Sequence, residues 1–370
     1  MSNSIKINKG KILVYRVFDV GDEINLEAAL QVLEQSKSPL RFKLKRESRA
    51  MVIKNAPLSL ALGNWDYQFQ GLKTQVESVG KLWHFGVFSI CFVMTLPEDV
   101  SWSQLIEYAS HLENDTTLDQ MAKQKTEELV TQISSVIKNR NVSSDFFEDY
   151  MVHFIQKVEG VEQPLELFEK ANIDALILAE TRDRDNLSAQ VKTSLRENVF
   201  QYTVGDMAVI DWNSALVVEP SGSLDVPDVI EFALCQLLEM RYYDDVLDEL
   251  LNSLYNSVHG KKKSLLNNRY SSLAEEAGQK YLEISETIES VQNSMKVVGD
   301  FFLATIFRAS LRRFRFGDLQ ASVDTKLENL LEVSKLLHGE VHEQRSLALE
   351  LVVIILITIC CIPIINSFIN

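Results

Sequence analysis

Lys11-Ile12-Leu13-Val14-Tyr15-Arg16-Val17-Phe18 is dominated by β-branched and aromatic residues and lies between Gly10 and Asp19, which is the pattern of a strand. Residues 82–96, from Leu82-Trp83-His84-Phe85 to Met94-Thr95-Leu96, have the same composition and read as a second strand that stops at Pro97. Between the two, Leu26, Leu30 and Leu33 recur at helical spacing, so the chain opens as mixed α and β. Beyond Pro97, Trp102, Leu105, Ile106, Ala109 and Leu112 mark a helix, and a polar helical stretch follows to about Lys138.

The order then recurs. Residues 151–158 read as a strand, 163–171 as a helix, and 199–203, 207–212 and 215–218 as strands leading into a helix from Asp225. Ile230-Glu231-Phe232-Ala233 follows Pro220 much as Ile106-Glu107-Tyr108-Ala109 follows Pro97, which points to a tandem α+β duplication. Two α+β subdomains, 1–140 and 141–224, are therefore expected, then a helical region, 225–346, and an apolar terminal helix, 347–368. The fold class is α+β with a long antiparallel helical hairpin.

From residue 225 the strand signals cease. Ile230, Leu234, Leu237, Leu238, Leu247, Leu251 and Leu254 carry an apolar face to Gly260, and the basic turn Lys261-Lys262-Lys263 follows. Ala277, Tyr281, Ile284, Ile288, Val291, Met295, Val298 and Phe302 then alternate spacings of four and three, the pattern of a coiled-coil seam. A second seam runs through Val323, Leu327, Leu330, Ser334, Leu337 and Val341. Gly317-Asp318 between them is the expected hairpin turn, so the seams are read as antiparallel arms that can also self-associate.

The second seam enters Leu351-Val352-Val353-Ile354-Ile355-Leu356-Ile357. No charged side chain occurs from Leu351 to Asn370, and eleven of the fifteen positions from 351 to 365 are Leu, Ile or Val. Twenty helical residues rise about 30 Å, the thickness of a bilayer's hydrocarbon core, so a membrane span is expected. Arg345 before it and no basic residue after it keep the N-terminal bulk on the cytoplasmic or matrix-equivalent side. The first residues carry neither a signal-peptide core nor an Arg-rich transit composition, which favours a tail-anchored protein of a bacterial inner membrane over a mitochondrial one.

The net charge of −15 opposes anionic lipid or nucleic acid over most of the surface. Against it stands Phe307-Arg308-Ala309-Ser310-Leu311-Arg312-Arg313-Phe314-Arg315-Phe316, where four arginines interleave with aromatics. Guanidinium groups beside rings suit phosphates and unstacked bases, so Arg308, Arg312, Arg313 and Arg315 form a candidate patch for RNA, the ribosome or another anionic partner. The competing reading pairs them internally with Asp244, Asp245, Asp248 and Glu249. No phosphate loop, dinucleotide fingerprint or nucleophile elbow occurs, and His338 and His342 with Glu340 between them do not follow the zinc-protease order. Arg241-Tyr242-Tyr243-Asp244-Asp245 reads as an ordinary amphipathic helix face and Asp211-Trp212-Asn213 as a hairpin turn. Cys91, Cys235, Cys360 and Cys361 have no CxxC spacing, which fits a reducing compartment. No catalytic residue, cofactor, metal or small-molecule substrate is assigned.

The C-terminal half, about residues 195–365, resembles the family named for being required for meiotic nuclear division. The resemblance rests on Met207-Ala208-Val209-Ile210-Asp211-Trp212, on Val229-Ile230-Glu231-Phe232-Ala233 with Arg241-Tyr242-Tyr243-Asp244-Asp245, on the long hairpin, and on Leu347-Ala348-Leu349-Glu350 before the apolar run. It implies a C-terminally membrane-anchored, oligomeric, non-enzymatic scaffold that supports translation at a membrane. An RNA- or ribosome-binding tether and a membrane-bound hydrolase are the alternatives.

Overall fold

The computed structural model describes residues 5–34, 39–41, 51–53, 56–69, 72–140, 146–178, 187–259, 269–293, 295–297 and 301–369, with side chains of the last helix followed to Ile359 except at 340, 343–345 and 348. In chain order the elements are β1 (Lys6–Asp19), β2 (Glu23–Ile24), α1 (Leu26–Glu34), β3 (Pro39–Arg41), β4 (Met51–Ile53), β5 (Leu58–Phe69), β6 (Leu72–Leu82), β7 (Val87–Thr95), β8 (Val100–Ser101), α2 (Trp102–Glu113), α3 (Thr116–Gln132), β9 (Ile137–Lys138), β10 (Phe147–Glu159), α4 (Leu167–Lys170), α5 (Ile173–Ile177) and α6 (Ala189–Arg196). They continue as β11 (Val199–Phe200), β12 (Met207–Ile210), β13 (Ser214–Val218), α7 (Asp225–His259), α8 (Arg269–Asn293), β14 (Met295–Val297), α9 (Phe301–Arg313) and α10 (Phe316–Ile369). The chain divides into two compact units, Met1–Tyr242 with Glu289–Gly317, and Tyr243–Ile288 with Asp318–Asn370.

In the first unit the principal sheet runs β11-β12-β13-β10-β1-β7-β6-β5-β3, with β8 beside β1. β1 pairs antiparallel with β10 on one side and with β7 on the other. Successive residues of a strand point to opposite faces, and here both faces are covered. Ile12, Val14 and Phe18 join Trp102, Leu105 and Leu118 of α2 and α3 in one core, whereas Trp83 and Phe85 meet Phe232 of α7 on the other side. Each fully buried side chain of this size contributes about 1.5–3 kcal/mol of transfer free energy. The α2 start is fixed by a capping box, in which Ser101 and Gln104 satisfy each other's backbone groups, and Asp115 caps α3 through the Thr117 amide.

Three expectations change. Residues 82–96 are not one strand: β6 and β7 form a hairpin through Trp83–Gly86, where Gly86 has φ +92° and a Cβ would overlap the Gly21 carbonyl oxygen. The stretches 1–140 and 141–224 are not two subdomains, because β1 and β10 are neighbours in a single sheet. Nor do they repeat a topology, since β1 pairs antiparallel with β7 but β10 pairs parallel with β13.

The second unit is built from three helices rather than a two-armed hairpin. Leu247, Leu251 and Leu254 of α7, Ala274, Ala277, Ile284 and Ile288 of α8, and Val323, Leu327, Leu330, Val333 and Leu337 of α10 are all buried. Small residues let α8 and α10 approach closely: the Ser334 hydroxyl donates to the Ala274 carbonyl at 3.1 Å, and Gly278 lies beside the same hydroxyl. Lys326 Nζ bridges Asp244 (2.7 Å) and Asp248 (2.6 Å), joining α10 to α7.

The first seam stops early. Asn293 and Ser294 are poor helix formers, Val297 and Val298 favour strands, and Gly299 follows; Met295 accordingly belongs to β14, paired with β4. The side chain of Val291, all of Val298 and the Lys261–Lys263 turn lie outside the described residues. The turn before α10 falls at Phe314-Arg315, with Gly317 inside the first turn of α10. As for the expected span, no helix among the described residues is long and apolar enough to cross a membrane. The side chains of 360–370, the second half of that stretch and the site of Cys360 and Cys361, lie outside the described residues.

Leu330 is fully buried in the second unit. Leu330→Ala is expected to cost about 3 kcal/mol, read as a lower denaturation midpoint; an unchanged midpoint would mean that the α10 stripe faces solvent.

Candidate functional site: the arginine face of α9

Leu303, Ile306, Ala309 and Ser310 form the buried face of α9, so Phe301, Arg308 and Arg312 fall on its outer face. The helix ends where the amides of Phe314 and Arg315 donate to Ser310 and Arg312 carbonyls, with Arg315 left-handed at φ 56°. That conformation costs a non-glycine residue roughly 1 kcal/mol, and here it turns the chain directly into α10. Phe314 is buried edge-to-face against the Tyr150 ring at 5.4 Å. A packed helix thus carries the charged residues.

The four arginines divide into two roles. Arg313 points inward: its Nη2 donates to Asp211 Oδ1, and its Nη1 to Ser194 Oγ at 3.4 Å. Asp211 is 1 % exposed and closes the β12–β13 hairpin, its amide donating to the Ser214 carbonyl and its own carbonyl accepting from the Tyr150 hydroxyl. Arg308, Arg312 and Arg315 are exposed, and Arg312 touches Asn198 Oδ1 at 3.3 Å. Internal pairing therefore holds for Arg313, but its partner is Asp211. The stripe expected to receive the arginines is met by Lys326 instead, through Asp244 and Asp248.

Aromatic side chains flank this surface. Trp212, next to Asp211 at the hairpin tip, is 53 % exposed. At the other end of α9, Tyr202 is 74 % exposed with its ring 5.5 Å from that of Phe302, and Phe301 is 81 % exposed. The loop that presents Tyr202 is pinned: both Asp206 carboxylate oxygens accept from it, from the amide of Tyr202 at 2.7 Å and from the amide and hydroxyl of Thr203 at 2.8 and 2.6 Å. The exposed rings were not legible as such, because hydrophobic periodicity assigns aromatics in strands to the core.

A second polar cluster lies on the sheet face beneath α7. Lys81 Nζ donates to Asp228 Oδ1 at 2.7 Å and Glu231 Oε2 at 2.5 Å, and Ser89 Oγ donates to Glu231 Oε1 at 2.6 Å. Lys81, Asp228 and Glu231, with Tyr15, Cys91 and Leu224, line a cavity of about 360 Å³. Burial and the neighbouring Glu231 push the Cys91 thiol far up, and at Lys81 burial, which lowers the pKa, is outweighed by Asp228 and Glu231, so the net shift is upward. Neither group is poised as a nucleophile. Sequence gave one signal for this cluster, a lone lysine in the apolar run Val79-Gly80-Lys81-Leu82-Trp83. On α10, His338 and His342 are exposed, and among the described residues no three His, Cys, Asp or Glu side chains are grouped to hold a metal.

Over residues 9–225, more than half of its length, the chain matches the family described as "Uncharacterized protein MJ0711, N-terminal domain". The chain belongs to this family. No curated protein and no solved structure matches it. The matched stretch runs to Asp225, the first residue of α7, and takes in Asp211, Trp212 and Tyr202 but none of the arginines of α9. The expected family resemblance, over about 195–365, overlaps this match only at 195–225, so an uncharacterised domain family is what the match supports.

Two tests follow from the charges. Arg313→Ala leaves the Asp211 carboxylate buried without its cation and is expected to lower stability by about 3 kcal/mol, whereas Arg308→Ala, at an exposed position, should stay within about 0.5 kcal/mol. Equal melting temperatures for the two variants would contradict the division of roles. Burial pushes Asp228 up to about 6, with Lys81 opposing and Glu231 adding to the rise. The folded chain therefore keeps a proton that the unfolded chain gives up near pH 4, and this group's contribution to stability falls as pH rises from about 4 to about 6. Asp228→Asn lacks that titration, so it should gain on the parent by about 3 kcal/mol across the window in urea unfolding at pH 4 and 7. Parallel pH profiles would refute it.

Proposed function

We propose that the protein is a non-enzymatic scaffold, tethered to a lipid bilayer by the apolar end of α10 and offering the arginine face of α9 to an anionic partner. One observation carries the tether: Leu351 to Ile359 are all exposed, and eight of these nine are apolar, on every side of the helix rather than along one stripe. A protein partner covers a stripe, as Leu327, Leu330 and Leu337 illustrate, whereas a helix apolar all round suits lipid. The sequence continues without charge to Asn370, and Arg345 before it favours a cytoplasmic-side body, in a bacterial inner membrane by preference. Self-association is a further expectation of this reading. The resemblance to the meiotic-division family adds support of translation at a membrane as the process served.

Deleting residues 351–370 should move the protein from the membrane pellet to the soluble fraction with its fold intact by circular dichroism. Retention of the truncated chain in carbonate-washed membranes would overturn the tether.

A further inference from the structure

We infer that the arginine face of α9, with the exposed rings of Trp212 and Tyr202, is a binding surface for single-stranded RNA; this deepens the scaffold reading by naming the anionic partner. Arg308 and Arg312 are exposed on the outer face of α9 in a chain of net charge −15, so the attraction is local and directed at a polyanion. The rings decide which polyanion. A duplex hides its base faces and an acidic peptide has none, whereas unpaired bases stack on exposed aromatic side chains.

The placement fits a strand laid along the helix. Tyr202 is fixed at the N-terminal end of α9 by its contact with Phe302, and Trp212 at the C-terminal end by the Asp211–Arg313 pair. Phe302 and Arg313 are eleven residues apart, so the two ends are separated by about 16 Å of helical rise, the length of roughly five stacked nucleotides. Along the helix axis Arg308 and Arg312, one turn apart on the outer face, fall between these two levels. Both aromatic platforms are held by buried or paired carboxylates, Asp206 and Asp211, so little ordering remains to be done on binding. Long-lived unpaired bases are a property of RNA rather than of duplex genomic DNA, which sets the choice between the two strands.

The test is fluorescence anisotropy on the full chain in detergent micelles, using a labelled twelve-nucleotide RNA of mixed sequence, the same sequence as DNA, the RNA duplex, and polyglutamate as competitor. Because it is read in micelles, it stands or falls independently of the tether, which the fractionation of the truncated chain addresses. Single-stranded RNA should bind tightest, with a slope of log affinity against log salt of about −1.4 for two phosphate contacts. Arg308→Ala with Arg312→Ala should reduce that slope by more than half and weaken binding at least tenfold; Trp212→Ala should weaken it roughly tenfold at an unchanged slope. All three substitutions are at exposed positions, and unchanged melting temperatures exclude unfolding as the cause. Affinity for the duplex equal to that for the single strand, tighter binding of DNA than of RNA, displacement of RNA by polyglutamate at equal charge, or unaltered affinity in both variants would each overturn the inference.

Discussion

Strand β1 hydrogen-bonds to β10 from Lys6 to Phe18 and to β7 from Lys11 to Asp19, so one segment of backbone joins the two halves of the sheet. A strand in that position is covered above and below, and its sequence must be apolar on both faces, as parallel-sheet strands usually are even though most pairings here are antiparallel. Leu13, Tyr15 and Val17 serve one face, and Ile12, Val14 and Phe18 the other. Only Arg16 interrupts the run, and its guanidinium meets Asp119 of α3 at 2.6 Å. A shift of one residue in this strand would exchange the two cores and bury Arg16 among the residues under α7.

Charge in the first unit follows the same plan. Arg16–Asp119, Lys81 with Asp228 and Glu231, Glu148–Arg241 and Asp211–Arg313 each link the sheet or its hairpin to a helix. Buried pairs of this kind add little net stability compared with apolar groups of equal volume, because desolvation offsets the attraction. Their stronger effect is on register, since a helix docked one turn away would leave several buried charges unpaired at once. Arg308 and Arg312 lie exposed on the outer face of α9, and the rings of Trp212 and Tyr202 are exposed as well.

Local composition reveals where strands and helices lie, and β1, α2, β10, β13 and α7 appear close to where periodicity puts them. β5 and β6 were equally visible, in alternations such as Leu58-Ser59-Leu60 and Gln75-Val76-Glu77, which a search for continuous apolar runs passes over. The assembly of the two strand groups into one sheet was not legible, because pairing partners such as Tyr15 and Tyr150 are far apart in sequence and carry no local mark of each other. The same holds for the site. Lys81 and Asp228 are 147 positions apart, and although helical spacing separates Arg313 from Arg312, that Arg313 meets Asp211 depends on where the β12–β13 hairpin docks. The heptad count misled at Met295 for a related reason: spacing alone cannot distinguish a seam that continues from one ended by Asn293, Ser294 and Gly299.

Helix α10 runs for 54 residues, so no loop separates the packed stripe Val323–Leu337 from the apolar stretch beginning at Leu351. A helix of this kind acts as a shaft and not as a leash. Inserting one residue near Leu347 would advance the apolar stretch by about 1.5 Å and rotate it by about 100° relative to the stripe, whereas four residues would nearly restore the azimuth while adding one turn of height. The side of the three-helix unit that faces any surface holding the apolar end is thus set by a residue count, and it changes in steps.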